Sequence, residues 1–291
     1  MSLPPEILKK VKLLEIQTRK LVNNLFSGEY HTAFKGQGIT FSDFREYIPG
    51  DDIRSISWTL TARAEKPYIK KFDEERELTL MLGVDVSASS DFGSRKYFKG
   101  EVINHLSALM SFSAAKNKDR IGLCMFSDQV EHYVPPAKGH GQVQRILRDL
   151  YYFKPRHTRT RIASMVEYLQ GILKKRATVF LFSDFLDDNF ADSLKTFGKK
   201  HEVVAVIIRD PLEQNLPDIG LVTLQDPESG ETAVVDTSDK GFRQAYAAEM
   251  ERRKKRCDEQ LLKARVDRID VFNPDDFVTP LVNFFKGHRR R

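Results

Sequence analysis

The sequence predicts an α/β fold: a doubly wound, mostly parallel sheet with helices on both faces, preceded by a helix and a small β-rich extension. Two observations carry this. Four near-continuous runs of β-branched and large apolar residues occur, "LTLMLGVDV" at 78–86, "RIGLCMFSD" at 120–128, "TVFLFSDF" at 178–185 and "EVVAVIIRD" at 202–210. Strands buried on both faces read this way, whereas strands with one wet face alternate. Between the runs lie stretches of helical period near 95–117, 141–152, 161–175 and 188–199. Helical connections of that length make neighbouring strands parallel, with right-handed crossovers.

The remaining elements follow in chain order. Residues 5–26 place Ile7, Leu8, Val11, Leu14, Leu21, Val22 and Leu25 at helical spacings, which predicts an amphipathic helix. Residues 27–77 are dense in aromatic, Gly and Asp residues, include Trp58 and carry a turn signal at Pro49-Gly50 before Asp51 and Asp52. They read as short strands and loops packed on a larger neighbour with Trp58 as the anchor, so the chain divides into 1–77 and 78–291. "FSDQVEHYVPP" predicts an edge hairpin, and "LVTLQDPESGETAVVDT" predicts a second hairpin around Asp226-Pro227-Glu228-Ser229-Gly230. A charged helix over 239–266, a strand in "RIDVF" and a closing helix in "DDFVTPLVNFFKG" complete the domain.

Composition narrows the class. At 291 residues and 41% hydrophobic content the chain can bury a large core. No apolar stretch approaches the roughly 18–20 residues that cross a bilayer, and the first residues lack the apolar stretch of a signal peptide. Cys124 and Cys257 lie far apart with no metal-type spacing. A cytoplasmic protein without membrane insertion is therefore expected. The net charge of +6 gathers in "ERRKKRCDEQLLKAR" and the terminal "GHRRR". Acids interleave with these bases and no stacking aromatics accompany them, so a solvated helix face is favoured over a nucleic-acid site.

Chemistry concentrates where strands end. In a parallel sheet ligands sit beyond the carboxyl ends of the strands, near the point where strand order reverses. The first run ends in "VDVSASS", so Asp85, Ser87 and Ser89 offer a carboxylate and two hydroxyls at two-residue spacing. Hard oxygens of this kind suit Mg²⁺ or another divalent cation. Ser183 and Asp184 end the third run, and "RHTRTRIAS" places Thr158 and Thr160 before a helix. Each residue also has a plainer reading. Asp85 can cap a turn, Thr160 can cap the helix starting at Arg161, and Asp187 and Asp188 can cap the helix after them. Asp51 and Asp52 can form a second acidic site, but turn residues accepting backbone hydrogens is the favoured reading.

"DVSASS", a threonine-bearing loop and a strand ending in "SDF" resemble the metal-ion-dependent adhesion site of von Willebrand factor type A (vWA) domains. The stretch from "KGQGITFSDFREYIPGDDIRSISW" through "GVDVSAS" resembles the signature of the DUF58 family, bacterial proteins that join such a segment to a vWA-like domain. The resemblance implies a metal set of Asp85, Ser87, Ser89, Thr160 and Asp184, with Thr158 as the rival of Thr160. It implies that a carboxylate of a protein partner completes the metal's coordination. It also implies an adaptor or co-chaperone of a MoxR-type AAA+ ATPase or its client, since such proteins are typically encoded beside these ATPases. The sequence departs from the pattern in three ways. Arg159 and Arg161 flank Thr160 where Gly and Asp are common, Ser57 stands where an Asp is usual, and the membrane helices of many members are absent.

The motifs of common enzyme classes lack their required residues. Asp85 lacks the second Asp two residues on that an aspartyl phosphatase needs, because Ser87 stands there. No phosphate-binding G-x-x-x-x-G-K-[ST] loop or G-x-S-x-G elbow occurs, and no histidine pair has metal-ligand spacing. A non-enzymatic binding module is the leading expectation. A metal-assisted hydrolase with Asp128 or Asp184 as base, and a basic nucleic-acid binder, are the alternatives.

Overall fold

The computed structural model describes residues 39–64, 66–74, 78–272 and 275–288. The helix expected over 5–26 lies outside them. The described residues fall into two compact units, one within Phe34–Leu78 and one over Thr79–Arg291.

In the small unit β1 (Ile39–Glu46) and β2 (Tyr68–Glu74) pair antiparallel, with an irregularity between Phe41 and Asp43. Between them lies α1 (Trp58–Ala64), a helix that the reading of strands and loops did not anticipate. Trp58, expected to anchor this segment on the core, is 68% exposed. Asp51 accepts from the Ile48 amide at 2.9 Å and pairs with Arg45 at 2.7 Å. Asp52 accepts from the Arg54 amide at 3.0 Å. Both carboxylates hold the turn, as the favoured reading had it.

The large unit is built on a six-stranded sheet of order β10-β7-β6-β3-β4-β5. Its strands are β3 (Thr79–Asp85), β4 (Arg120–Phe126), β5 (Val130–Ala137), β6 (Thr178–Ser183), β7 (Glu202–Ile208) and β10 (Asp267–Val271). All neighbours pair parallel except β5, which runs antiparallel to β4 as the expected edge hairpin. The predicted doubly wound α/β class is therefore found. The helices are α2 (Lys99–Lys116), α3 (His140–Tyr152), α4 (Ile162–Ile172), α5 (Ala191–Phe197), the one-turn α6 (Pro211–Gln214), α7 (Lys240–Ala264) and α8 (Val278–His288). The second predicted hairpin forms a separate two-stranded sheet of β8 (Leu221–Gln225) and β9 (Thr232–Asp236).

Burial explains the unbroken apolar runs. Met81 of β3, Val179 and Leu181 of β6 and Ala205 and Ile207 of β7 pack in one cluster with α4, α5 and α7. Leu80 and Leu82 alternate to the opposite face and are fully buried as well. On that face Phe180 of β6 meets Phe285 of α8, ring centroids 6.2 Å apart. Because both faces are covered, the positions between the first and last residues of these strands are apolar. Strand order reverses between β3 and β6, so their carboxyl ends open side by side at the switch point. No helix among the described residues is long and apolar enough to cross a membrane.

Candidate functional site

Asp85 is the last residue of β3 and is 2% exposed. The chain then turns through a single 3-10 turn, Ala88–Asp91. The Ser87 amide donates to Asp85 Oδ1 at 3.0 Å, and the Ser90 hydroxyl donates to the Asp85 carbonyl at 3.1 Å. These bonds fold the hydroxyls of Ser87 and Ser89 inward, where both residues are buried and their Oγ atoms lie 3.1 Å apart. Asp85, Ser87 and Ser89 thus form one buried cluster of oxygens, as expected from their spacing.

The neighbouring strand end completes it. Val84 pairs with Phe182, which sets Ser183 beside Asp85. The Ser183 hydroxyl donates to Asp85 Oδ2 at 2.6 Å and accepts from the Phe185 amide at 3.1 Å. Asp184 follows, buried and in reach of the Ser89 hydroxyl. Phe185 has φ +56°, a left-handed conformation that a bulky residue rarely adopts. Its ring is buried against Phe190 at 5.3 Å, and this packing holds the bend that follows Asp184, just beyond the end of the strand.

Lys99 opens α2 at 2% exposure and was not anticipated. Its Nζ lies 2.9 Å from Asp184 Oδ2 and 2.5 Å from Glu213 Oε1. Burial opposes the ammonium charge, but the Asp184 and Glu213 carboxylates outweigh it and raise the lysine above its ordinary range. Burial also works against the Asp184 anion, yet Lys99, Ser89 and the Leu186 amide hold it below the usual carboxylate range. Glu213 ends above its ordinary range, because burial there exceeds what Lys99 returns.

The loop before α4 is tied to the same edge by its backbone: the Ala88 amide donates to the Thr158 carbonyl at 3.0 Å and the Arg161 amide to the Ser127 carbonyl at 2.9 Å. The Thr160 hydroxyl does not cap α4. The free amide of Ile162 is taken by Asp187 Oδ2 at 2.8 Å. Thr160 instead donates to Glu228 Oε1 at 2.8 Å, and Thr158 donates to the Glu228 carbonyl at 2.8 Å. Both threonines therefore meet the tip of the β8–β9 hairpin, and Thr160 is the more buried of the two. Arg159 and Arg161 are exposed, and Arg161 turns to Glu167 at 3.3 Å.

Charge distinguishes the two strand-end acids. Asp184 has Lys99 as a counter-cation, whereas among the described residues Asp85 has hydroxyl and amide donors only. Burial first, and the Asp184 charge second, push Asp85 up to about 7 against the opposing bonds from Ser183 and Ser87. A buried carboxylate that lacks a cation, with two inward hydroxyls beside it, fits a hard divalent ion. The donors that fit are Asp85, Ser87 and Ser89, joined to Asp184 through Ser89. Thr160 stands one carboxylate away: Glu228 accepts its hydrogen and is raised by burial and by the charge of Asp184.

Lys99, Glu213 and Glu228 were not among the candidate site residues read from the sequence, whereas Ser183 was, beside Asp184 at the end of the third run. Glu213 had a legible local signal, the Asp-Pro-Leu-Glu capping box in which the Asp210 and Glu213 amides and carboxylates exchange bonds. Lys99 and Glu228 reach the site across 85 and 68 residues of chain, and local pattern carries no trace of such contacts.

The chain is similar to several known proteins. The DUF58 family, described as a protein of unknown function, matches residues 43–256. The uncharacterized protein Rv1480 of Mycobacterium tuberculosis H37Rv is 29% identical over 295 residues, covering 98% of this chain and 91% of that protein. The uncharacterized protein Mb1516 of Mycobacterium bovis matches to the same extent. Among solved structures, the conserved hypothetical protein BatB of Bacteroides thetaiotaomicron shares the fold with a TM-score of 0.51 at 12% identity, over 74% of this chain and 100% of BatB.

Proposed function

The chain belongs to the DUF58 family, and from that premise we propose that it is a non-enzymatic, Mg²⁺-dependent protein-binding module. In this reading Asp85, Ser87 and Ser89 hold the ion at the switch point of a vWA-like domain, with Asp184 and Thr160 beside them at the edge of the site. The observation that supports it most is the buried oxygen cluster of Asp85, Ser87 and Ser89, whose carboxylate has no counter-cation among the described residues. Bound there, the ion supplies a coordination position for an acidic group of a partner. The protein's own residues do the rest. Ser183 orients Asp85, Lys99 keeps Asp184 anionic and fixed, and the 3-10 turn presents both serine hydroxyls.

A MoxR-type AAA+ ATPase or its client is the proposed partner, on the strength of the family resemblance. The hydrolytic alternative is less well supported, because Asp184 is ion-paired with Lys99 and held below the range of a useful base. Calorimetric titration of Mg²⁺ into the native and Asp85→Ala proteins at pH 7.5 tests the site. The variant should lose about tenfold or more in affinity, a difference of about 1.4 kcal/mol. A partner captured from lysate should be lost both from the variant and in chelator. Capture indifferent to both changes would reject the metal-dependent reading.

A further inference from the structure

We infer that the β8–β9 hairpin tip is a built-in occupant of the docking site, and that the partner's recognition element is an acidic turn that replaces Glu228. The inference deepens the reading above and rests on the loop of Thr158 and Thr160 being part of the docking face. Two bonds from that loop converge on one residue of the hairpin. Thr160 takes the Glu228 carboxylate and Thr158 its main-chain carbonyl, each at 2.8 Å. A side chain and a backbone oxygen read together define a ligand by chemistry and by orientation.

The tip is shaped for presentation. Asp226 Oδ1 accepts from the Glu228 amide at 2.8 Å, and the Gly230 amide donates to the Asp226 carbonyl at 2.8 Å. Gly230, at φ +74°, supplies the left-handed residue that this turn requires. The Glu228 carboxylate is thereby projected from a turn that closes on itself.

The stem is poorly anchored. No residue of Leu221–Gln225 or Thr232–Asp236 is buried, and Leu221 and Val234 are 74% and 72% exposed. The strands pair only with each other. A lone two-stranded hairpin is marginal in water, so contacts at its ends decide where it rests. At the base, Thr237 Oγ1 bonds the Gly220 carbonyl at 2.7 Å and the Ile219 amide at 3.1 Å, and Gly220 has φ +81°. The hairpin is thus clasped at its base, exposed along its stem and held at its tip by the two threonines. An incoming acidic turn that offers the same carboxylate and carbonyl competes for those two hydroxyls, and the apparent affinity of the site is reduced by the fraction of time Glu228 occupies it.

The chain's own tip sequence is the probe. A fluorescently labelled peptide of residues 225–231, "QDPESGE", is titrated into the full-length native and Glu228→Ala proteins, in Mg²⁺ and in chelator, with Mg²⁺ affinity measured in parallel. Glu228→Ala should bind the peptide about tenfold or more tightly than the native chain. The same peptide with Gln in place of the glutamate equivalent to Glu228 should bind neither protein. Amide exchange of Leu221–Gln225 should quicken in the variant, reporting a released hairpin. Equal peptide binding by both proteins, or none by either, overturns the inference. So does a Glu228→Ala protein that loses Mg²⁺ affinity as Asp85→Ala does and takes no peptide, which would make Glu228 a fixed ligand. Peptide discrimination that persists in chelator, with no Mg²⁺ bound by the native chain, leaves the inference standing and removes the metal from the reading above.

Discussion

Lys99 concentrates the energetics of the site in one side chain. Its ammonium is 2% exposed and is compensated by Asp184 and Glu213, so its removal strands a buried carboxylate. Breaking such a pair from one side costs about 3–5 kcal/mol, while replacing both partners costs much less. Lys99→Met should therefore lower the urea midpoint sharply, and Lys99→Met combined with Asp184→Asn should recover much of the loss. A single-variant loss below about 1 kcal/mol would show that the pair is solvated after all. The same substitution leaves Asp184 without its internal cation. Added Mg²⁺ should then stabilise Lys99→Met more than the native chain, which a thermal-shift titration reads directly.

Among the elements, β3 and α4 set how the site is supported from below. A Cβ placed on Gly83 would lie 2.5 Å from Met165 Sδ, so the Met165 side chain of α4 fills the space that a side chain at this strand position would need. Gly83→Ala should cost about 1–3 kcal/mol through overpacking. Adding Met165→Ala should give a double variant less destabilised than the sum of the two singles, because each relieves the other's misfit. Additive losses in urea denaturation would show that helix and strand do not press on one another. The elements themselves were largely legible in the sequence. The strand runs, α2 to α5, the edge hairpin and the free hairpin occur where burial periodicity placed them, since each signal is local. The short α1 was missed because a two-turn helix of mixed polarity has no period long enough to read.

For the molecule as a whole, two buried groups titrate in opposite senses. His201 is 2% exposed, with both ring nitrogens lacking hydrogen-bond partners among the described residues. Burial, with help from Lys200 and Arg176, lowers it from 6.5 to about 4. Between those values the unfolded chain binds more protons, so this stability is full above pH 6.5 and is lost as pH falls toward 4. Asp85 behaves inversely. Its value rises from 3.8 to about 7, so the folded chain holds the extra proton and its contribution is lost as pH rises through 7. The two slopes oppose one another over about pH 4–6.5, each worth at most about 1.4 kcal/mol per pH unit. In chelator, urea denaturation should therefore show stability falling more steeply in Asp85→Asn than in the native chain as pH drops from 6.5, and less steeply in His201→Phe. Saturating Mg²⁺, which favours the Asp85 anion, should make the native protein follow Asp85→Asn. Unchanged slopes in both variants would refute the assignment.

What the sequence determined by itself is the frame and the first three residues of the buried oxygen cluster. Runs buried on both faces declare parallel strands, and the end of such a run is the first place a carboxylate can stand, so Asp85, Ser87 and Ser89 were readable from one turn. Tertiary structure alone decided which partners meet them. Ser183 arrives by strand pairing, Lys99 by the start of α2 and Glu228 by the fold-back of a hairpin. It also decided that Thr160 serves Glu228 while Asp187 caps α4. The physical reason is range. Burial periodicity, capping and turn chemistry act over a few residues, whereas charge pairing across a switch point depends on which strands the whole sheet sets side by side.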